Sequence, residues 1–340
     1  MQQTLTQQPP QGGKPGDFIR RTLDRVQVGP HTTHENLTVF PLFGDAAFSP
    51  DYLTLGEALD AGIAQVTEVS QGGSVPELSV VNTADRPVLI LDGEELHGAK
   101  QNRVVNLSIL VPAHATLSIP VSCVEKGRWY YTSPEFSDSM SALYAAGRAR
   151  KTDQVSKSMR LGRRHADQGD VWEGIALQAQ KMSVQSPTSA IADVYARYSK
   201  PLDGYVEAFT PSDDQVGALF AVGSRISGFD LFDSAKTLRA YLGKLVRSHA
   251  LDTLNENERE GESPSMRGAE WLLEATAHSA VETYPALGLG VDVRLREAGV
   301  IGAGLLWQDR VVHLHAFTDT TAHRAPRRRR ARRPEDPRAD

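Results

Sequence analysis

Twelve residues, Asp92 to Arg103 (DGEELHGAKQNR), hold three carboxylates, a histidine, a lysine, an arginine and two amides, with apolar strand-like segments on both sides. Ionisable side chains are rarely buried unless they are paired or used, so a fold that encloses this run must neutralise it or put it to work. The flanking segments set the local frame. Residues 88–91 and 103–111 are short apolar runs bounded by Asp, Gly and Pro, the pattern of buried strands.

Further strands are expected at 37–43, 64–69, 78–82 and 117–124, with a short helix over 53–61. The middle of the chain reads as helical. Asp170-Val-Trp-Glu173 has capping-box spacing, with Trp172, Ile175, Ala176 and Ala179 on one stripe, and Ser186-Pro187-Thr188 looks like an N-cap followed by proline at the first helical position. Strands are expected again at 206–209 and across 218–232, broken at Gly223 and Gly228. A helix capped by Ser234, another over 267–278, and three closing strands with turns near Gly299 and Asp309 complete the chain. Strands at both ends with helices between them, and no βαβ alternation, predict an α+β fold. Its parts would be an antiparallel, strand-rich N-terminal half, central helices, and C-terminal strands with one or two packed helices. Residues 1–30 are expected to be a disordered lead-in, 31–320 one globular domain with a sub-boundary near 132–170, and 321–340 a disordered Arg-rich tail.

Charge and composition exclude several classes. No apolar stretch nears the ~20 residues that span a bilayer, and residues 1–17 lack the apolar block of a signal peptide, so a cytoplasmic protein with no membrane partner is expected. The single cysteine, Cys123, rules out an internal disulfide and a Cys-rich zinc site; it shares a strand face with Ile119 and Val121 and reads as core. The formal charge of −5 conceals an uneven distribution. Eight arginines lie beyond residue 321, leaving 29 basic and 39 acidic residues before that point. So acidic a body is a poor general binder of phosphate backbones, whereas the Arg324–Arg333 tail could hold nucleic acid or an acidic partner.

The expected site follows from strand parity. The odd positions from 103 to 111 and from 117 to 125 are apolar except at Arg103 and Glu125. An antiparallel hairpin that buries both odd faces pairs positions summing to 228, with Arg103 opposite Glu125, or to 226, with the two on a diagonal. Pairing 97 with 103 would add Glu95 and His97 to that face. Glu95, His97 and Glu125 are the candidate catalytic residues, suited to acid–base work. Glu94, Lys100, Asn102, Arg103, Arg128 and Trp129 are the candidate ligand-binding residues, with Lys100, Arg103 and Arg128 able to receive a phosphate or carboxylate. A structural Arg103–Glu125 ion pair fits the same pattern. Two carboxylates and an imidazole (Glu95, His97, Glu125) could also hold a divalent metal. His313 and His315, two apart on a terminal strand, read as a half-exposed strand face. Gly299–Gly304 lacks the lysine and the strand-to-helix context of a phosphate loop, and no Gly-x-Ser-x-Gly, Walker A or Rossmann fingerprint occurs.

Taken together, Asp92–Arg103, Ile119–Glu125, Gly127-Arg-Trp129, Val171-Trp172, Ser186–Thr188 and Gly228–Phe232 resemble a bacterial and archaeal family named for its genomic association with ADP-ribosylglycohydrolase and rhodanese-phosphatase proteins. The resemblance spans about 37–317. It implies a neighbourhood of reactions that remove ADP-ribose or phosphate from nucleotides, nucleic-acid ends or proteins. The expected function is therefore an accessory enzyme on a phosphorylated or ADP-ribosyl-type nucleotide. The alternative is a binding module that holds a nucleotide-like ligand or a partner at the same place without reaction.

Overall fold

In the computed structural model, residues 13–44, 48–254 and 264–319 are described. Helix α1 (Pro15–Leu23) opens them, followed by strands β1 (Gln27–Val28), β2 (Thr32–His34), β3 (Leu37–Phe43) and β4 (Leu53–Thr54). Helix α2 (Leu55–Asp60) leads to β5 (Ala64–Glu68), β6 (Glu77–Asn82), β7 (Val88–Ile90), β8 (Glu94–Gly98), β9 (Arg103–Val105), β10 (Ile109–Val111), β11 (Ala115–Cys123) and β12 (Phe136–Ala142). Four helices come next: α3 (Ala145–Met159), α4 (Gln168–Lys181), α5 (Ile191–Arg197) and α6 (Ser199–Ala208). The chain then forms β13 (Gln215–Val222), β14 (Arg225–Phe232), α7 (Ala235–Thr253), α8 (Met266–Ala277), β15 (Ala280–Pro285), β16 (Val291–Glu297), β17 (Val300–Trp307) and β18 (Arg310–Thr318). The fold is α+β, and apart from the parallel pair β4–β7 its strand pairings are antiparallel.

A nine-stranded sheet, β1-β3-β13-β14-β18-β17-β16-β15 with β2 also on β3, carries the C-terminal half. One of its faces buries Phe40, Leu219, Phe229, Leu295 and Leu314 under α1 and α8. The other lies beneath α3 and α7. A six-stranded sheet, β12-β8-β9-β11-β6-β5, and a small one, β10-β7-β4, enclose a second core around Val66, Val80, Leu96, Val105 and Ile119. The run 92–103 thus contains β8 and the start of β9, within the six-stranded sheet, and α3 and α7 reach its first residues, Asp92 and Glu94.

Several expectations are corrected. Residues 15–23 form a helix, not part of a disordered lead-in. Pro15 stands in its first turn, where a missing N–H costs nothing, and Phe18, Ile19 and Leu23 bury one face. Residues 1–12 and the tail from 320 lie outside the described residues. The segment 103–111 is two strands: Arg103–Val105 pairs with β11, but Ile109–Val111 crosses to β7, so only the first part of the expected hairpin forms. Residues 206–208 complete α6, whose Leu202, Tyr205 and Val206 have helical spacing that a four-residue apolar window conceals. Helix α4 is capped by Asp167, whose carboxylate accepts from the Gly169 and Asp170 N–H groups, so Asp170 lies in the first turn. Ser186 accepts from the Ala190 N–H ahead of α5 and does not cap a helix beginning at Pro187.

Candidate functional site

The β9–β11 pairing has the register summing to 226: Arg103 faces Cys123 across the ladder, and Glu125 follows on the diagonal. The expected salt bridge between them does not form, because each takes another partner. Glu125 pairs with Arg128 at 2.6 Å and accepts from the Asn102 N–H and the Thr188 hydroxyl. Arg103 Nη1 donates to Gln101, and Nη2 stands 3.9 Å from Glu68.

Between β8 and β9 the register departs by one residue from the one expected. Leu96 pairs with Arg103 and Glu95 with Val104, because the connection turns through Gly98 and Ala99, both at positive φ (128° and 39°). A one-residue shift moves every side chain to the other face. Glu95 and His97 therefore share a face with Val104, while Arg103 points the other way, with Leu96 and Val105. The four ionisable groups do not gather at one rim.

The carboxylates of the run are divided among three sites. Asp92 accepts from Lys151 Nζ at 2.7 Å. Glu94, fully buried, accepts from Lys244 Nζ at 2.5 Å, and Lys244 also bonds Asp138 at 2.6 Å, tying α7 to β8 and β12. Burial pushes the Glu94 carboxyl up against the pull of Lys244. Glu95 is 1% exposed, and its Oε1 lies 3.1 Å from Nε2 of His97, whose side chain is 38% exposed. That contact is a close charge pair, not aligned as a hydrogen bond. Burial disfavours the imidazolium, but Glu95, with Glu125 adding to it, outweighs this and raises the His97 pKa above 6.5. Ser139 Oγ stands 3.5 Å from the other Glu95 oxygen. Burial raises and Arg128, Asn102 and Thr188 lower the Glu125 pKa, the latter prevailing, so Glu125 is ionised at neutral pH.

Arg128 is buried and its terminal nitrogens are committed. They donate to the Gly98, Ala99 and Tyr130 carbonyls, to Thr132 and Asn102, and pair with Glu125. It fastens the 128–132 loop to the 98–102 turn and has no terminal donor left for a phosphate. Lys100 Nζ donates to the Gly72 carbonyl and lies over Trp129 and Tyr131.

Sequence reasoning missed a densely charged and fully buried place in the fold. Helix α3 lays Arg148, Lys151, Thr152, Val155 and Met159 on its buried side. This i, i+3, i+4, i+7 stripe would announce a core face were it apolar, but its charges suggest a solvated one. Arg148 makes a bidentate pair with Asp230 (2.6 and 3.0 Å) and lies 3.9 Å from Asp92. His313 bridges Ser108 (2.8 Å) and Asp230 (3.1 Å); His315 lies 3.2 Å from Thr152 and 4.0 Å from Asp92. His313 and His315 are thus fully buried, not half-exposed. Burial drives His315 down to about 3 despite Asp92, so it stays neutral, while Lys151 pairs with Asp92 and Arg148 with Asp230.

Among the described residues, Asp230, His313 and His315 have ligand atoms close enough for one metal ion, whereas the expected set Glu95, His97 and Glu125 does not. The Arg148 guanidinium occupies both Asp230 oxygens and supplies the positive charge that an ion would bring, so the residues present do not fit a metal there. Gly93 belongs to the same packing. Its φ is +81°, and an added Cβ would stand 3.0–3.1 Å from Arg148 Cγ, Cδ and Nε. Gly93→Ala should cost about 1–3 kcal/mol in urea denaturation from backbone strain alone.

The profile of the ARG and Rhodanese-Phosphatase-superfamily-associated Protein domain matches residues 25–317. No curated protein and no solved structure matches the chain. Among the described residues no helix is long and apolar enough to cross a membrane.

Proposed function

We propose, for a chain that belongs to the ARG and rhodanese-phosphatase-superfamily-associated protein family, an accessory enzyme acting on a phosphorylated or ADP-ribosyl-type nucleotide. His97 is its proton donor, and Glu95 is the buried carboxylate that favours the charged form of His97. The observation that carries this reading is the asymmetry of the pair: a carboxylate out of water beside an imidazole that reaches it. Such pairs tune a histidine to the pH at which proton transfer to a leaving oxygen is useful. Glu125 and Arg128 hold the turn in place. Arg128 is a positioning residue in this reading and not an anion clamp.

The test is turnover. The full-length protein is incubated with ADP-ribose, its phosphorylated forms, and oligonucleotides bearing 2′- or 3′-phosphates, with and without Mg²⁺ or Mn²⁺. Product formation that disappears in Glu95→Gln and His97→Ala supports the assignment. Activity that survives both changes refutes it, and a ligand bound without conversion replaces the enzyme with a binding module.

A further inference from the structure

The face of the six-stranded sheet away from Glu95 and His97 carries a second group of polar residues, at the 98–103 turn. Arg103 is fully buried, yet its Nε and Nη2 have no hydrogen-bond partner among the described residues. Glu68, 8% exposed, leaves Oε2 equally unpartnered, while its Oε1 stands 3.9 Å from Arg103 Nη2. Leaving three charged-group atoms dry and without a hydrogen bond, Nη2 held only by the 3.9 Å charge contact to Glu68, is costly, and native interiors seldom do so without a use. The group is roofed by an aromatic ring that is not itself buried. Trp129 is 45% exposed, with its ring 5.7 Å from the Arg103 guanidinium and 5.3 Å from Lys100 Nζ. Exposed Tyr130 and Tyr131 follow it in the chain. The remaining wall is Gly73, at φ +73°, where a Cβ would stand 3.2–3.4 Å from Lys100, Glu68 Oε2 and Trp129. A residue with a side chain there would fill the space beside the unpartnered carboxylate oxygen.

We propose that Glu68, Arg103 and Trp129 form a binding site for a 6-oxopurine base, such as guanine, free or within a nucleotide. The three atoms without a hydrogen bond specify the occupant. Nε and Nη2 are the two parallel donors on one edge of a guanidinium, and they match the adjacent N7 and O6 acceptors of guanine. The neighbouring ring N1–H is a donor that the free Glu68 oxygen can accept. Adenine offers acceptor, donor, acceptor along the same edge and satisfies two of the three atoms at most. A phosphate or carboxylate would suit Arg103 and Lys100 but would meet the Glu68 carboxylate, so an anion alone is disfavoured. The Trp129 indole, free on its outer side, swings out and stacks on the base. This site goes beyond the acid–base reading and stands without it, since its residues lie on the other face of the sheet.

Calorimetry on the full-length protein tests it, with guanosine, inosine, adenosine and inorganic phosphate as probes. The nucleosides are uncharged, so the base is read alone. Guanosine and inosine should bind, and adenosine at least tenfold more weakly. Trp129→Ala, a change at a half-exposed position, should weaken guanosine by about tenfold or more, and Trp129→Phe should restore most of it. Thermal melts of each variant verify that the fold is kept. Absence of guanosine binding, equal binding of adenosine, binding of phosphate alone, or indifference to Trp129→Ala would each overturn the proposal. None of these outcomes bears on turnover at His97.

Discussion

Arg148→Leu is expected to destabilise the protein by roughly 3–5 kcal/mol at neutral pH, the largest stability effect of any single change at the sites described. The loss comes from what is left behind. Asp230 is fully buried, both its oxygens are held by Arg148, and its other hydrogen-bond partner is the His313 ring. Leucine fills part of the volume but strands the carboxylate, and the packing of Arg148 on Phe317 (5.2 Å) and Gly93 is also disturbed. The pH dependence identifies the cause. Burial would raise the Asp230 pKa, but Arg148 and His313 hold it well below the usual carboxylate range. A depressed pKa contributes stability that is present above the unfolded value, about 3.9, and is lost as pH falls below it. In the variant only His313 still opposes burial, so the Asp230 pKa rises and the stability that its ionised form contributes near neutral pH is lost. The stability gap between wild type and Arg148→Leu should therefore be widest near pH 7 and narrow towards pH 4. Equilibrium urea melts at several pH values measure it. A gap under 1 kcal/mol, or one that does not change with pH, would mean that Asp230 is not an ionised, Arg148-dependent group.

His97→Ala should lower kcat on an accepted substrate by about 10²–10⁴-fold while the fold is kept, because removing a positioned proton donor costs that much. The side chain is half-exposed and its one close charge partner is Glu95, so a small stability change is expected beside a large kinetic one. A group whose pKa is raised is protonated below that value. As a proton donor, His97 should give a rate that is flat at lower pH and falls as pH rises through its elevated pKa. In Glu95→Gln the positive charge loses its main support, so the falling limb should move to lower pH and the maximum rate should drop. A limb rising with pH instead would make His97 a base. Equal kcat in His97→Ala and wild type would remove it from the chemistry.

Element types were widely legible because short apolar runs between Gly, Pro and Asn leave few choices. Leu37–Phe43, the Ser234-capped helix and the closing meander follow from periodicity and turn residues alone. The β9–β11 register also followed, since burying both apolar faces allows only even sums and 226 was one of two. The β8–β9 register did not. It depends on how Gly98 and Ala99 turn, and Ala99 at positive φ has no sequence signature. That one residue decides whether Arg103 joins Glu95 and His97 or faces away. The charged stripe of α3 was illegible for another reason: Arg148 and Lys151 find their anions on loops and strands 56–82 residues away, and no local pattern tells a buried compensated charge from a solvated one. Thr188, which the sequence places in the first turn of an expected helix, is a hydrogen-bond donor to Glu125.

The most direct measurement is the titration of His97 by NMR, on the imidazole ring resonances of wild type and Glu95→Gln, with His97→Ala for assignment. It needs no substrate. A buried Glu95 carboxylate 3.1 Å from Nε2 predicts a wild-type pKa above 6.5 that falls clearly in Glu95→Gln. A wild-type value at or below 6.5, or one that Glu95→Gln leaves unchanged, would contradict the pairing on which the proposed proton donor depends.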